Sequence, residues 1–271
     1  MKTRRLLALT LTLTLGFLAS ANADVIVYQD TFDDSDIATN SGIGGGLSQA
    51  IVGGTGFTEA GGSIAPDTSV NNNRGFGFST NTFDLSNGFT LDFTANASAI
   101  GSASGNRFSV GLAAAGADFA TAATSGRDFV ADHRAEFEGV GIDFTTNDSG
   151  PGLRFNNGLG VGEGANEGVP TTVLSNEQAI TANTDLDVSL TVFADGSYSY
   201  SINGADATTG AAFGLDLSQE YHFATYFQDD IGDFSISQVT LTAFAAVAVP
   251  EPSSAALLGL GGLALILRRR K

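Results

Sequence analysis

The stretch LDVSLTVFADGSYSYSING, residues 186–204, decides the fold. Leu186, Val188, Leu190 and Val192 recur at every second position. Successive side chains of a strand point to opposite faces, so this period describes a strand with one apolar face. Asp195-Gly196 interrupts the run, and Tyr198, Tyr200 and Ile202 resume it before Asn203-Gly204 ends it again. Asp-Gly and Asn-Gly between alternating runs are the strongest short hairpin signals, because those residues accept the positive φ angles that tight turns need.

The same rhythm extends outward in both directions. GFTLDFTA (88–95) places Phe89, Leu91 and Phe93 on one face and Thr90, Asp92 and Thr94 on the other. RFSVGL (107–112) groups Phe108, Val110 and Leu112, and YHFATYF (221–227) and FSISQVTLTAF (234–244) supply strands near the C-terminal end. VIVYQDTF (25–32) opens the series, so the first and last strands both belong to sheets and the ends are expected to meet. No capped amphipathic helix of convincing length occurs between residues 24 and 249; the segment 113–129 has room for a turn or two, although its glycines favour a loop. Many short strands with turn signals between them, in one domain of this size, predict an all-β sandwich or jelly roll.

Charge divides the 271-residue chain into three parts. Lys2, Arg4 and Arg5 open it, and Arg268, Arg269, Arg270 and Lys271 close it. Between them, residues 24–249 hold five arginines, no lysine and 28 acidic residues, a net charge of −23. Such a surface excludes nucleic acid as a partner, since binding it takes clustered Lys and Arg that displace counterions. An anionic membrane surface is disfavoured on the same ground. MKTRR, then the apolar LLALTLTLTLGFLA, then Ala21-Asn22-Ala23, has the form of a secretory signal peptide cleaved after residue 23. With no cysteine in the chain, the exported part relies on core burial or ions for its stability. At the other end the apolar run 255–267 would span roughly 20 Å as a helix, short of a bilayer core of about 30 Å. Its basic flank would stay cytoplasmic, which suits a sorting signal held transiently in the inner membrane.

Val249-Pro250-Glu251-Pro252, followed by SSAALLGLGGLALIL and RRRK, resembles the PEP-CTERM sorting domain of Gram-negative bacteria. The resemblance implies that an exosortase handles the chain, with Pro250, Glu251 and Pro252 as the sorting box. It also implies a place at the cell envelope, surface or extracellular matrix, commonly with exopolysaccharide and biofilm. The domain organisation expected is therefore a signal peptide at 1–23, a β-sandwich at 24–247 and a sorting signal at 248–271.

YQDTFDD (28–34), FDLSNGFTLDF (83–93) and LTVFADGSYSYSING (190–204) resemble the concanavalin-like lectin/glucanase sandwiches, especially their laminin-G-like versions. That likeness implies a jelly-roll sandwich hosting lectins, adhesion modules, glycosidases or lyases, so function must be argued from a site. The catalytic candidates are Glu136 and Glu138 in HRAEFEGVGIDF (133–144), which share a strand face; Asp143 falls on the other face unless a bulge at Gly139 or Gly141 resets the phase. A retaining glycosidase needs two carboxyls about 5–5.5 Å apart. Against the Glu-x-Asp-x-x-Glu strand of laminarinase-type glucanases, Glu138 stands where Asp is expected and Gly141 stands where the third acid belongs. A glycosidase or lyase is thus the alternative to a non-catalytic surface protein, with a purely structural role as a third reading. Carboxylate-rich loops suit a hard cation, which makes Asp30, Asp33, Asp229 and Asp230 the calcium candidates. His133 and His222 stand far apart, and His222 beside Tyr221 is expected to be a packed, hydrogen-bonded strand residue. GVGEGA (160–165) fits a dinucleotide fingerprint in letters only, since Glu163 would face the pyrophosphate and no helix follows. The chain has no Trp and five Tyr, so glycan recognition is expected through Asp, Asn and calcium more than through stacking. SVNNNRGFG (69–77), with Arg74, is a polar loop open to such contacts.

Overall fold

Alternation between apolar and polar residues gives each strand one greasy face, and two sheets bury those faces against each other. The computed structural model describes residues 23–40, 42–54, 56–66, 74–97, 107–125, 138–145, 152–157, 184–205, 208–210, 215–228 and 234–246. They form β1 (Val25–Asp30), β2 (Leu47–Val52), β3 (Phe57–Glu59), β4 (Ile64–Pro66), β5 (Arg74–Ser79), β6 (Phe83–Asp84), β7 (Gly88–Ala97) and β8 (Arg107–Ala114). After α1 (Phe119–Ser125) come β9 (Glu138–Thr145), β10 (Gly152–Asn157), β11 (Asp185–Phe193), β12 (Tyr198–Ile202), β13 (Thr208–Gly210), β14 (Glu220–Gln228) and β15 (Phe234–Ala243).

One sheet runs β13-β12-β11-β7-β15-β4-β3, with β1 also pairing β15; the other runs β10-β9-β8-β14-β5-β2, with β6 on β14. All the pairings are antiparallel. Every strand expected from the sequence is present, and the first and last pair over Val25–Asp30 as expected. The hairpin that decided the fold closes at Gly196 (φ 78), and its partner turn closes at Asn203 (φ 52) and Gly204 (φ 65).

Phe89, Leu91 and Phe93 of β7 and Leu186, Val188, Leu190 and Val192 of β11 all face the shared core. Aromatic rings bridge the two sheets there. Tyr28 stacks on Phe223 at 5.0 Å, and Phe57 meets Phe227 edge-on at 4.7 Å. Phe108 and Phe234 lie tilted at 3.7 Å. Each such ring removes a large apolar area from water and adds a geometric preference of its own.

Within 113–129, where the sequence leaves room for a turn or two but favours a loop, α1 occupies Phe119–Ser125. Asp118 explains it. Its Oδ1 accepts the Thr121 N–H at 3.0 Å and its Oδ2 accepts the Thr121 hydroxyl at 2.7 Å, capping the helix start. Gly116, one of the glycines that argued against a helix, lies in the turn before it. The helix then buries Phe119, Ala122 and Ala123 on the outer face of the β14-containing sheet, where Phe119 stacks on Phe78 at 4.1 Å.

Phe223→Ala is expected to destabilise the chain by about 3–5 kcal/mol, because it empties the ring site between the sheets. Phe193→Ala, at an exposed strand end, should change stability by only about 0.5 kcal/mol. Urea unfolding midpoints of the two variants check the contrast.

Candidate functional site

The acidic loop after β1 is built by its own carboxylates. Asp30, almost fully buried, accepts the Phe32 N–H on Oδ1 at 2.9 Å, and the Tyr28 hydroxyl donates to its Oδ2 at 3.3 Å. These bonds help hold Phe32 at φ 52, a backbone region that costs a bulky residue about 1–3 kcal/mol. The Phe32 ring is buried in the main core, which offsets that cost. Asp34 accepts the Asp36 N–H, and Asp36 accepts the Ala38 N–H, each at 3.1 Å. From β3, the Glu59 carboxylate reaches across and accepts the Ser35 N–H at 2.8 Å. Asp30, Asp34 and Glu59 thus come together, although sequence separation hid Glu59 from the first reading.

Burial raises the Asp30 pKa above its ordinary 3.8, with the charges of Asp34 and Asp33 pushing the same way and the Phe32 N–H and Tyr28 hydroxyl opposing. Burial also raises Glu59 above its ordinary 4.5, against the Ser35 N–H and with help from the Asp34 carboxyl and the Asp30 charge. The Tyr28 hydroxyl is raised as well, first by burial and then by Asp30.

Of the four calcium candidates, Asp30 and Asp33 are placed in this loop, while Asp229 and Asp230 lie outside the described residues. Among the described residues, no three His, Asp or Glu side chains converge as a metal cluster. Glu136 also lies outside the described residues, as do His133, the 160–165 glycines, residues 69–73 and the Pro250-Glu251-Pro252 box. Glu138 is the first residue of β9 and pairs with Asn157 of β10. Pairing of β9 with β8 is unbroken from Gly139 to Thr145, so no bulge resets its phase. Position 138 therefore alternates with Val140 and Ile142, and position 143 alternates with Gly139 and Gly141. His222 is the packed strand residue expected. Its Nδ1 lies 2.7 Å from the Ser79 carbonyl oxygen, which makes that nitrogen the donor, and its ring meets Phe78 and Phe119 edge-on.

A groove lies on the outer face of the β7-containing sheet, with a volume of about 400 Å³. Asp92 and Thr94 of β7, Asp187 and Ser189 of β11, Ser201 of β12 and Gln238 of β15 line it. The Thr94 hydroxyl donates to Asp187 at 2.8 Å. Asn203 closes one side, where its Oδ1 accepts the Asp187 N–H at 2.9 Å and its own N–H donates to the Asp187 carbonyl at 2.7 Å. The sequence reading put Thr90, Asp92 and Thr94 on the outward face without assigning them a task. The signal it missed was the same polar phase on neighbouring strands.

This architecture defines the class: the chain folds as a concanavalin-like jelly-roll β-sandwich of two antiparallel sheets. It superposes on the carbohydrate recognition domain of Emp46p in its potassium-bound form, with TM-score 0.55 and 13% identity over 73% of this chain and 90% of that one. The Emp47p carbohydrate recognition domain gives TM-score 0.56 and 14% identity, over 82% of this chain and 98% of that one. The exoplasmic/lumenal domain of VIP36, in its Ca2+/Man3GlcNAc-bound form, gives 0.52 and 9%, over 84% and 93%. At such identities the likeness is one of fold. No protein of curated function matches the sequence. Residues 248–271 match the PEP-CTERM protein-sorting motif, which makes this an exported protein sorted at the cell envelope through an exosortase. Among the described residues no helix is long and apolar enough to cross a membrane, and the run 255–267 lies outside them.

A raised carboxyl pKa sets the sign of a pH effect. The folded state holds the proton more tightly than the unfolded chain, so the stability from Asp30 and Glu59 is fully present below their ordinary 3.8 and 4.5 and is lost as pH rises through the raised values. The urea midpoint is therefore expected to rise as pH falls from neutral toward about 4.5. Glu59→Gln should raise the midpoint at neutral pH and flatten that slope. A variant with an unchanged slope would remove Glu59 from this account.

Proposed function

We propose that this is a non-catalytic protein of a Gram-negative cell surface or extracellular matrix that associates with extracellular polysaccharide. Residues 1–23 act as a removable signal peptide, 24–247 as the working sandwich and 248–271 as the sorting signal that passes briefly through the inner membrane. The single observation carrying the reading is the coupling of a lectin-type sandwich to a PEP-CTERM motif in one chain. A matrix or biofilm component needs an adhesive module and an export address, and this chain pairs the two.

The phase of β9 supports a binding role over turnover. Glu138 and Asp143 alternate onto opposite faces, and Gly141 fills the position where a third acid would stand. Glycoside hydrolysis needs two carboxyls in one cleft, flanking the scissile bond. A −23 sandwich that meets an acidic polysaccharide would need a divalent cation between them. Calcium is the ion this reading names, with the acidic loop of Asp30 and Asp33 and the 229–230 pair as the places to look. Solved structures of this fold include a potassium-bound form of Emp46p and a Ca2+-bound form of VIP36.

The full-length chain, held in mild detergent, is expected to co-sediment with the host's exopolysaccharide and to release no new reducing ends or unsaturated products. Sustained release that vanishes in Glu136→Gln or Glu138→Gln would make the protein an enzyme instead. Absence of both binding and turnover would leave a purely structural role. Calcium binding predicts a rise in melting temperature of about 4 °C or more over an EDTA control, and Asp33→Asn should shrink it. Equal melting curves with calcium and EDTA would rule the ion out.

A further inference from the structure

We propose that the groove on the outer face of the β7-containing sheet binds an amine-bearing sugar unit, the protonated amino group of a glycan seated at Asp92 and Asp187. The inference rests on the glycan-association reading and names the place and the chemistry of the contact.

Register is the starting point. Ser201, Ser189, Asp92 and Thr240 stand in one row across β12, β11, β7 and β15, and Asp187, Thr94 and Gln238 form the next row. Adjacent strands lie about 4.8 Å apart, so the first row spans roughly 14 Å, the scale of a short oligosaccharide. Gln238 belongs to this face only because β15 bulges. Pairing with β7 shifts between Ile236↔Ala95 and Gln238↔Thr94, leaving Ser237 as the extra residue. Simple alternation from Ile236 would turn position 238 toward the core, and the bulge turns it outward beside Thr94. On the opposite side, the Asn203-Gly204 turn is locked by two hydrogen bonds to Asp187 and forms a wall.

The bonding state of these groups is uneven in an informative way. Thr94 and Asp187 bond each other. The side chains of Asp92, Ser189, Ser201 and Gln238 make no hydrogen bond to a described residue, so a carboxylate, two hydroxyls and an amide face the groove with their capacity unspent. Polar outward faces are common in sandwiches, but they are often furnished with long side chains of both charge signs. Here most of the lining chains are short and lose little rotamer freedom when a ligand settles on them. Serine hydroxyls and the glutamine amide can give or take hydrogen bonds with sugar hydroxyls, while Asp92 can only accept.

Charge then selects among sugars. Strands β7, β11, β12 and β15 contain no Lys or Arg, and their acidic residues are Asp92, Asp185 and Asp187. An anionic sugar meets repulsion from every charged group on the face. A neutral sugar gains hydrogen bonds alone, and an ammonium on the ring adds Coulomb attraction and charge-assisted bonds to the carboxylates.

The test titrates the full-length chain in mild detergent with three probes: a glucosamine oligomer, its N-acetylated counterpart and an oligogalacturonate. The glucosamine oligomer is expected to bind about tenfold more tightly than the acetylated one at low ionic strength, with the gap closing at about 1 M salt. Oligogalacturonate should not bind. Asp92→Asn, which keeps the side chain's shape, should weaken glucosamine binding about tenfold with an unchanged melting temperature. Gln238→Ala should weaken all amino-sugar binding without altering salt dependence. Asp195→Asn removes the same charge at the exposed Asp195-Gly196 turn and should leave binding unchanged. Equal losses in Asp92→Asn and Asp195→Asn, or equal binding of the acetylated or uronate probes, overturns the proposal. If the variants lose no affinity while the chain still co-sediments with the host polysaccharide, the groove falls and glycan association stands. If no glycan of any kind is retained, both fall.

Discussion

The packing of one sheet's aromatic face against the other is the constraint on which everything else depends. Tyr28 on Phe223, Phe57 on Phe227 and Phe108 on Phe234 each join a strand of one sheet to a strand of the other. With no disulfide available, this interior and the ladders around it must supply the stability of a chain under strong self-repulsion. The apolar phase of each strand is therefore committed to the core. Whatever the protein binds must be met by the opposite phase, by the loops, or by the ground that α1 leaves open.

The abundance of aspartate has a structural explanation that competes directly with a metal. Asp84, Asp195 and Asp216 each accept the N–H two residues on, and Asp118 caps α1. Those hydrogen bonds lower the pKa values of all four. Asp30, Asp34 and Asp36 repeat the device in the loop after β1. Aspartate suits this task because its short carboxylate reaches a backbone N–H locally. Much of the acidic character is thus the chemistry of many tight turns. Asp30 and Glu59 differ from the exposed turn formers, for burial pushes their pKa values up while hydrogen bonds pull the others down.

Most of the strands were legible because a period of two survives any tertiary context in which one face is buried. Phe89, Leu91 and Phe93 announce themselves, and so do the Asp-Gly and Asn-Gly turns. The short elements β3, β4 and β6 offered too few residues to show a period. The helix was legible only as room for a turn or two, because its evidence is a single cap, Asp118, in front of an alanine-rich turn shorter than any amphipathic pattern. The groove was half visible. Asp92 and Thr94 could be set on the outer face from sequence, but their neighbours on β11, β12 and β15 come from register. The bulge that turns Gln238 outward shows in the sequence only as a slip of the apolar phase, from Phe234 and Ile236 to Val239 and Leu241, across Ser237-Gln238. Glu59 was invisible for a related reason, lying 24 positions from the Ser35 amide it satisfies.

Sorting and binding make separate demands on the two ends of the sandwich, and the topology meets both. β1 and β15 pair along their length, and the Ala245 N–H donates to the Asp24 carboxylate at 3.1 Å, so the chain enters and leaves the domain at adjacent points. Both strands lie in the sheet whose outer face holds the groove. Every paired strand among the described residues lies between Val25 and Ala243, ahead of the matched motif at 248–271. A domain that kept its last strand inside the sorting segment would be dismantled by processing. Here β15, which joins β7, β1 and β4, is complete before the motif begins at residue 248. The described sandwich is thus built entirely from residues ahead of the matched motif, and its polar outer face is part of that same unit.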